Sequence, residues 1–302
     1  MKNLNKTTVF ALLLLLQAAA AFAQNNEQSA DYKKEITAFF DKRDKDLRAP
    51  SSPLNLIGML WLEQGENSFG SGEKNKLVVP VPGFPEIAGS YFVEGRKVTA
   101  RFDQRSGVLL DGKPAGENLN VYSGKAPVSL ERGAVHWFVQ DSGGELAIRL
   151  LNNESENQAK FKGVERFPVD EKLRVKAHFK PYASNSTIPI TTIFGKTNER
   201  AAAGLLEFQL GGKPYKLEAL DKGNGGLFIV FSDQLGGKET YAFRFLNADK
   251  PGSDGSVIVD FNKATNPNCA FSVYAPCPLP PKQNKLTIPI PAGEKKYTLE
   301  SI

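Results

Sequence analysis

The stretch Val257-Ile258-Val259-Asp260-Phe261-Asn262 places valine or phenylalanine at every second position. A period of two is typical of a β-strand with one buried face. The segment from there to Glu294 contains both cysteines of the chain and seven of its 19 prolines. Proline lacks a backbone N–H and fixes φ, so neither a helix nor a central strand is expected there. The sequence therefore predicts a strand followed by a long irregular loop, of a type that is often functional or locally cross-linked. We call residues 262–284 the proline loop.

The run that precedes this strand predicts its pairing partner. Residues 241–246 also alternate, and a connection rich in Gly, Pro, Asp and Asn separates the two runs, as in a β-hairpin. Residues that lie directly opposite each other share a face, and both apolar faces must be buried on the same side. A register that pairs Phe245 with Val259 meets this requirement. The same register places Arg244 opposite Asp260, so we predict a cross-strand ion pair between these two side chains.

Motifs along the chain together resemble those of a known family. They are Trp61-Leu62, Gly65-x-Asn67-x-Phe69-Gly70, Phe161-x-Gly163, Phe167-Pro168, Phe231-x-Asp233, Arg244-Phe245-Leu246, Asp260-Phe261-Asn262, Asn266-Pro267-x-Cys269-Ala270-Phe271, Cys277-Pro278-Leu279-Pro280-Pro281, Asn284 and Ala292-Gly293-Glu294-Lys295. This pattern resembles the bacterial family of unknown function DUF1684, over nearly the whole chain after residue 23. Ala242-Phe243 departs from the pattern, because small residues or glycine are more usual there in that family. The resemblance implies a family but no established activity.

The N-terminus has the features of a secretory signal peptide. Lys2 and Lys6 precede an apolar run at residues 9–16, and Ala21-Phe22-Ala23 forms an A-x-A cleavage site. The apolar run is too short to span a membrane. We therefore expect cleavage after Ala23 and a periplasmic or secreted protein without a membrane span.

Charge and aromatic content narrow the range of partners. The chain of 302 residues has a formal net charge of +5, and its basic residues are dispersed among acidic ones. Without a basic run that contains interleaved aromatic residues, nucleic acid is not an expected partner. Twenty phenylalanines against two tryptophans and two methionines favour an aromatic, β-type interior. The expected partner is a small polar molecule or none, and the sequence does not reveal the oligomeric state.

Periodicity predicts a mainly β fold with one or two N-terminal helices. Residues 31–47 show the spacing of an amphipathic helix, and Pro53 suits the first turn of a second helix that would end near Leu62. From Gly65 onward, short strands separated by glycine-containing turns predict antiparallel sandwich-like or barrel-like sheets. The expected divisions are a signal peptide at 1–23, a helical segment at 24–64, a first β-rich half at 65–160 and a second at 161–302. The second half carries the family motif, and the two halves could also form one continuous domain.

Cys269 and Cys277 lie eight positions apart in this expected exported chain. Such a pair can form a disulfide or can remain as buried thiols. Zinc sites usually need four closely spaced Cys or His ligands. The chain contains two histidines, His136 and His178, and neither lies near the cysteines in sequence. We therefore expect no metal and no cofactor.

Three roles for the strand and the proline loop remain open. The first is a binding module for a small polar or carbohydrate-like ligand. Its candidate binding residues are Arg244, Asp260, Asn262, Asn266, Tyr274 and Asn284. The second is a hydrolase-type enzyme, in which Asp260, Asp233 or Glu294 supplies a carboxylate and Arg244 clamps an anion. The third is a purely structural role, in which the loop closes one end of a barrel.

The surroundings of Arg244, Asp260 and Asn262 distinguish these roles. A concave pocket that contains them would favour binding or catalysis. Complete pairing of the same groups inside the protein would favour the structural role.

Overall fold

The computed structural model describes residues 28–124 and 127–299, so the predicted signal peptide lies outside the described residues. Helix α1, residues 28–48, comes first. Its buried face includes Tyr32, Ile36 and Phe40, which are spaced by four residues. Side chains at this spacing lie above one another on one face of a helix. The predicted amphipathic helix is confirmed.

The second predicted helix, from Pro53 to Leu62, is wrong. Ser52 caps a single 3-10 turn at Pro53–Asn55, and its hydroxyl accepts a hydrogen bond from the Leu54 N–H at 3.1 Å. The chain then continues as strand β1, Leu56–Trp61. A short apolar run does not by itself distinguish a helix from a buried strand. Pairing with a distant strand decides in favour of the strand here.

The first sheet is antiparallel and has six strands. They are β1 (Leu56–Trp61), β6 (Leu109–Leu110), β7 (Lys113–Pro114), β9 (Leu130–Arg132), β10 (Val135–Ser142) and β11 (Glu145–Asn152). Their order across the sheet is β1-β11-β10-β9-β6-β7. A two-residue Gly143-Gly144 turn joins β10 to β11, with positive φ at both glycines. Only glycine adopts such angles at no steric cost, which explains the tight hairpin.

The second sheet has five strands and packs against the first. They are β2 (Gly65–Gly70), β3 (Leu77–Val78), β4 (Gly89–Glu94), β5 (Lys97–Phe102) and β8 (Leu119–Tyr122). Their order is β3-β2-β4-β5-β8, and β2 and β3 form a parallel pair. The two sheets share an aromatic core around Phe69, Tyr91 and Trp137. The Trp137 indole donates to the Tyr91 hydroxyl at 2.6 Å, so this core contains a satisfied polar contact.

The third sheet has seven strands. They are β12 (Arg174–Pro181), β13 (Thr187–Thr191), β14 (Thr197–Leu210), β15 (Lys213–Asp221), β16 (Leu227–Phe231), β17 (Arg244–Ala248) and β18 (Ser256–Asp260). Six of them follow the order β17-β16-β15-β14-β12-β18, and β13 pairs with the start of β14. A short helix, α2 (Glu156–Lys160), precedes this sheet in the chain. The mainly β, antiparallel fold class is thus confirmed, while the predicted division at residue 160 stays a prediction.

The third sheet is a half-barrel with its own core. The buried side chains inside it include Phe208, Phe231 and Phe261. The chain after β18 lies beside the far edge strand, β17, because Phe245 and Thr265 exchange two backbone hydrogen bonds of 2.9 Å. The start of the proline loop therefore closes the gap between the two edges of the sheet.

The predicted hairpin between residues 241–246 and 257–262 is wrong. β17 pairs with β16 and β18 pairs with β12, at opposite edges of the third sheet. Arg244 lies opposite Phe231, and Asp260 lies opposite Arg174. The predicted Arg244–Asp260 ion pair does not form. The alternation within each run shows which of its residues share a buried face, but it does not show which strand lies next to it.

Candidate functional site

Arg244 forms its ion pair with Asp233. The guanidinium Nη2 lies 2.6 Å from Asp233 Oδ2, and each side chain is 1% exposed. The guanidinium also donates to the carbonyl oxygens of Ile290, at 2.9 Å, and Ala292. Burial lowers the pKa of Arg244, and the adjacent Asp233 carboxylate opposes this shift. These contacts attach the C-terminal segment to β17, so the pair offers no open site for an anion.

Asp260 and Asn262 attach helix α1 to the third sheet. The Tyr32 hydroxyl donates to Asp260 Oδ1 at 2.8 Å, and the Asn262 amide donates to the Tyr32 hydroxyl at 2.9 Å. Asn262 also accepts from the Asp170 N–H at 2.9 Å and donates to the Asp170 carbonyl at 2.8 Å. Burial raises the pKa of Tyr32, and its hydrogen bond to Asp260 raises it further. No local motif indicates this contact, because Tyr32 lies 228 positions before Asp260.

Glu294 and Asn266 form another buried network. Glu294 is 0% exposed, and its Oε2 accepts from the Asn266 backbone N–H at 2.6 Å and side-chain amide at 3.0 Å. Arg43 of α1 donates to Glu294 Oε1 at 3.2 Å and to the Asn266 carbonyl at 3.1 Å. This carboxylate therefore holds the proline loop against the helix.

The remaining predicted binding residues lie apart from these networks. Asn284 is 1% exposed. Its side-chain oxygen accepts a hydrogen bond from the Glu218 N–H at 2.7 Å. Its side-chain nitrogen donates to the carbonyls of Glu218 and Val230, both at 2.8 Å. It thus fixes the end of the proline loop to β15 and β16. Tyr274 differs because it is 40% exposed. The predicted site residues do not form one pocket. Apart from Tyr274 they bond mainly to other parts of the protein, while Arg244 Nε, Asp260 Oδ2 and Asn266 Oδ1 are buried without a hydrogen-bond partner. This largely internal pairing favours the structural role for the motif over an open binding site.

Cys269 and Cys277 are both free and buried. They do not form a disulfide, so of the two alternatives the structure has the buried thiols. The backbone N–H of Cys269 donates to the Cys277 sulfur at 3.0 Å. Contact with the Cys269 thiol and burial raise the pKa of Cys277.

Among residues 28–124 and 127–299, no group of three or more Cys, His, Asp or Glu side chains is placed to hold a metal ion. In the same residues, no helix has the length and apolar character needed to cross a membrane.

A cleft of about 280 Å³ lies where the first and third sheets meet, at a place that the sequence did not indicate. We call it the aromatic cleft. Its lining residues are Trp61, Ser142, Gly143, Ile190, Thr192, Phe194, Lys196, Asn198, Arg200, Leu220, Phe228, Pro276 and Pro278. They come from three distant parts of the chain: the first sheet, the third sheet and the proline loop.

The β13–β14 hairpin supplies one wall of the aromatic cleft. Ile190 lies directly opposite Asn198, and residues 196, 198 and 200 share a face because side chains alternate along a strand. The turn between the strands is tight, since Gly195 has φ 79° and its N–H donates to the Thr192 carbonyl at 2.9 Å. This turn leaves the Phe194 ring 50% exposed at the rim.

The first sheet supplies a second wall. Trp61, at the end of β1, is 40% exposed, and the Lys196 ammonium lies 6.0 Å from the centre of its ring. Lys196 also forms an ion pair with Glu145 of β11. The Asn198 side-chain amide lies against Gly143. In the amide orientation that satisfies both of its polar atoms, its nitrogen donates a hydrogen bond to the Gly143 carbonyl at 3.0 Å. The two sheets therefore contact each other directly around the cleft.

The proline loop forms the third wall. The Ile193 N–H donates to the Cys277 carbonyl at 3.0 Å, and the Leu279 N–H donates to the Thr191 carbonyl at 2.8 Å. These bonds fix Pro276 and Pro278 along the hairpin. The loop that closes the half-barrel thus also shapes the cleft.

The lining combines apolar surface with a few polar groups. Its charged side chains are two cations, Lys196 and Arg200, and no acidic residue of the described chain lines it. The Thr192 hydroxyl is buried without a hydrogen-bond partner. None of these lining residues is among the binding or catalytic residues predicted from the sequence, although Trp61 and Pro278 belong to the family motifs. A usable signal was Ile193-Phe194 before Gly195, two consecutive apolar residues in a turn.

The comparisons with known proteins concern mainly the third sheet. Residues 159–295 match the model of a family described as "Protein of unknown function (DUF1684)". This region contains β12 to β18 and the proline loop, whereas the motifs at Trp61-Leu62 and Gly65–Gly70 lie outside it. No curated protein matches the chain.

One similar solved structure is the solution NMR structure of an uncharacterized protein of Haloarcula marismortui. It is 29% identical, with a TM-score of 0.39, and the match covers 46% of this chain and 78% of that chain. Through residues 159–295, this chain resembles the DUF1684 family of proteins of unknown function.

Proposed function

We propose that the protein binds a small molecule and that the aromatic cleft is the binding site. The observation that carries this proposal is that two exposed rings, Trp61 and Phe194, line one concave, mostly apolar site. Ligand sites are typically such clefts, with a few polar groups and volumes of about 300–1,000 Å³. A volume of about 280 Å³ suits a ligand at the small end of this range.

The energetics of the exposed rings support the same proposal. Exposed aromatic rings keep apolar surface in water, and a stacked ligand would remove that surface.

This proposal keeps the predicted small ligand but moves it away from Arg244, Asp260 and Asn262. Their contacts with other parts of the protein support the structural alternative for the motif. The hydrolase alternative has less support, because Asp233 and Glu294 are buried against protein partners and neither lines the cleft.

Intrinsic fluorescence tests the binding proposal, because the chain contains two tryptophans. Trp61 is 40% exposed at the cleft, and Trp137 is 0% exposed in the core. A library of small sugars, acids, amides and nucleosides would be screened by thermal shift and then by tryptophan emission. We expect a hit that changes the emission of the protein but not that of Trp61→Phe, and that binds Phe194→Ala more weakly.

A hit that binds Phe194→Ala and Trp61→Ala as well as the unchanged protein would contradict a site in the aromatic cleft. So would the absence of any hit from the whole library. Val273→Ala is a suitable control, because Val273 is also an exposed apolar residue, at 67%, and does not line the cleft.

We also propose that the protein is exported, on the basis of Lys2, Lys6, the apolar run at residues 9–16 and the Ala21-Phe22-Ala23 site. The test is expression of the full chain in a Gram-negative host, followed by fractionation and intact-mass measurement. We expect a periplasmic or secreted product that begins at Gln24. An uncleaved product in the cytoplasm would contradict export.

A further inference from the structure

The charges around the aromatic cleft are unbalanced. Lys196 and Arg200 line it, and the acidic residue that contacts this wall, Glu145, is already paired with Lys196. Arg200 has no carboxylate within 4.0 Å among residues 28–124 and 127–299, and no hydrogen bond of its side chain is found there. One positive charge at the cleft is therefore left without a protein partner.

Arg200 is placed to meet a ligand rather than to hold the fold. It lies on β14 opposite Ile188, on the same face as Asn198, with an exposed side chain. Arg244 provides the contrast, because its guanidinium is buried and bonded to Asp233 and to two carbonyls. A guanidinium presents a planar fork of N–H donors that matches a carboxylate in a bidentate pair.

The apolar lining restricts which anion fits. Trp61, Phe194, Ile190, Leu220 and Phe228 give the cleft ring-shaped and branched apolar surfaces. Inorganic anions would leave these surfaces exposed, and sugars would leave the Arg200 charge unpaired. Both the charge and the apolar lining are satisfied by one class of molecule, a small organic acid.

We infer that the ligand is a small aromatic or branched aliphatic monocarboxylate, whose apolar body lies between Trp61 and Phe194 and whose carboxylate pairs with Arg200. This inference rests on the proposed function, because it names the ligand class of the same cleft. It makes Arg200 the residue that determines specificity for a negative charge. It makes the two aromatic residues the source of general affinity.

Matched pairs of probes test the inference on the purified protein. Phenylacetate and phenylacetamide have nearly the same shape and differ in charge, as do isovalerate and isovaleramide. Sodium acetate and sodium phosphate provide anions without a large apolar body. Binding would be followed by calorimetry and by the emission of Trp61. We expect phenylacetate to bind about 10-fold to 100-fold more tightly than phenylacetamide, the range that a hydrogen bond to a charged group provides.

Substitutions at Arg200 assign the difference to its side chain. Arg200→Gln should bring the affinity for phenylacetate down to that for phenylacetamide and leave the amide unchanged. Arg200→Lys should recover only part of the preference, because an ammonium lacks the bidentate fork. Arg101→Gln is the matched control, since Arg101 is an exposed arginine on β5 that lies over Phe92, and it should leave both affinities unchanged. Circular dichroism and thermal melting would establish that each variant is folded.

The results separate this inference from the proposed function. If phenylacetamide or a sugar binds at Trp61 as tightly as phenylacetate, and Arg200→Gln has no effect, the inference is wrong and the cleft remains a binding site. Acetate or phosphate binding as tightly as phenylacetate would also overturn it, because the apolar body would then contribute nothing. If no probe or library member binds, both the inference and the proposed function fail.

Discussion

Arg244 and Asp233 lie 11 positions apart and form an ion pair in which each side chain is 1% exposed, with 2.6 Å between Nη2 and Oδ2. Removing one member of such a pair leaves the other charge buried without a partner, which typically costs about 3–5 kcal/mol. We expect Arg244→Ala and Asp233→Ala each to lower the free energy of unfolding by roughly this amount, measured by urea denaturation. The loss should be the same whether or not a ligand is present.

An exposed ion pair serves as the control for this prediction. Arg105 and Asp103 lie 3.1 Å apart, and their side chains are 91% and 44% exposed. Such surface pairs contribute about 0–1 kcal/mol. Arg105→Ala should therefore change the free energy of unfolding by less than about 1 kcal/mol. An Arg244→Ala variant as stable as Arg105→Ala would contradict the structural role of the buried pair.

Buried tyrosines predict a loss of stability at alkaline pH. Burial raises the pKa of Tyr91 and of Tyr32 above the ordinary value of 10.0. Above about pH 10 the unfolded chain releases phenolic protons that the folded chain retains, so the free energy of unfolding falls as pH rises. Below pH 10 both states keep these protons, and the contribution of the tyrosines to stability is fully present.

Urea denaturation from about pH 8 to about pH 11 would measure this effect. The expected slope above pH 10 is up to about 1.4 kcal/mol per pH unit for each tyrosine whose pKa is raised. Tyr32→Phe should reduce the slope, because phenylalanine does not titrate. It should also lower the stability at neutral pH by about 1–3 kcal/mol, since Asp260 and Asn262 lose a hydrogen-bond partner. Constant stability across this pH range would contradict the burial of these hydroxyl groups.

The two thiols provide a chemical test of the proline loop. Cys269 and Cys277 are buried and free. A reagent cannot reach a buried thiol, and contact with Cys269 and burial also raise the pKa of Cys277, which disfavours its nucleophilic thiolate. We expect no reaction with Ellman's reagent in the folded protein and reaction of both thiols in guanidinium chloride without reductant. If the unfolded protein shows no reactive thiol, the cysteines form a disulfide and the geometry around Cys277 is wrong.

The limits of the sequence are clearest around strand β18, Ser256–Asp260. The alternation correctly predicted that Val257 and Val259 are buried, at 5% or less, while Ile258 is 41% exposed. The strand ends at Asp260, earlier than predicted, and the buried Phe261 lies in a 3-10 turn. Local periodicity determines this alternation, since each side chain depends on its own position along the strand. The neighbouring strand depends on how the whole chain folds. The run at residues 241–246 was therefore paired with it incorrectly, although both runs contribute to the same sheet.

The same distinction explains why the sequence indicated the wrong site. Polar residues among apolar ones, such as Asp260 and Asn266, look alike in sequence whether they bind a ligand or a distant segment of the same chain. Their partners Tyr32 and Arg43 lie on α1, more than 200 positions away. The aromatic cleft also depends on contacts between distant segments, so no single motif predicts it.

Gly143 offers a direct test of the contact between the two sheets at the aromatic cleft. It has φ 70°, and a Cβ atom at this position would lie 2.5 Å from the Asn198 side-chain amide. Gly144, its neighbour in the same turn, has φ 94°, and a Cβ atom there would meet nothing within 4 Å. Alanine is strained at a positive φ, by roughly 1–2 kcal/mol, and both substitutions should cause this loss. Only Gly143→Ala should also displace Asn198.

We therefore expect Gly143→Ala to lower the melting temperature more than Gly144→Ala does. The emission of Trp61 should also shift in Gly143→Ala and stay unchanged in Gly144→Ala, because Trp61 and Asn198 line the same cleft. Trp137 is enclosed in the core of the first two sheets, so it contributes a constant background to both variants. Equal melting temperatures and equal emission in the two variants would mean that the β10–β11 turn does not contact β14. The aromatic cleft would then lose one of its walls.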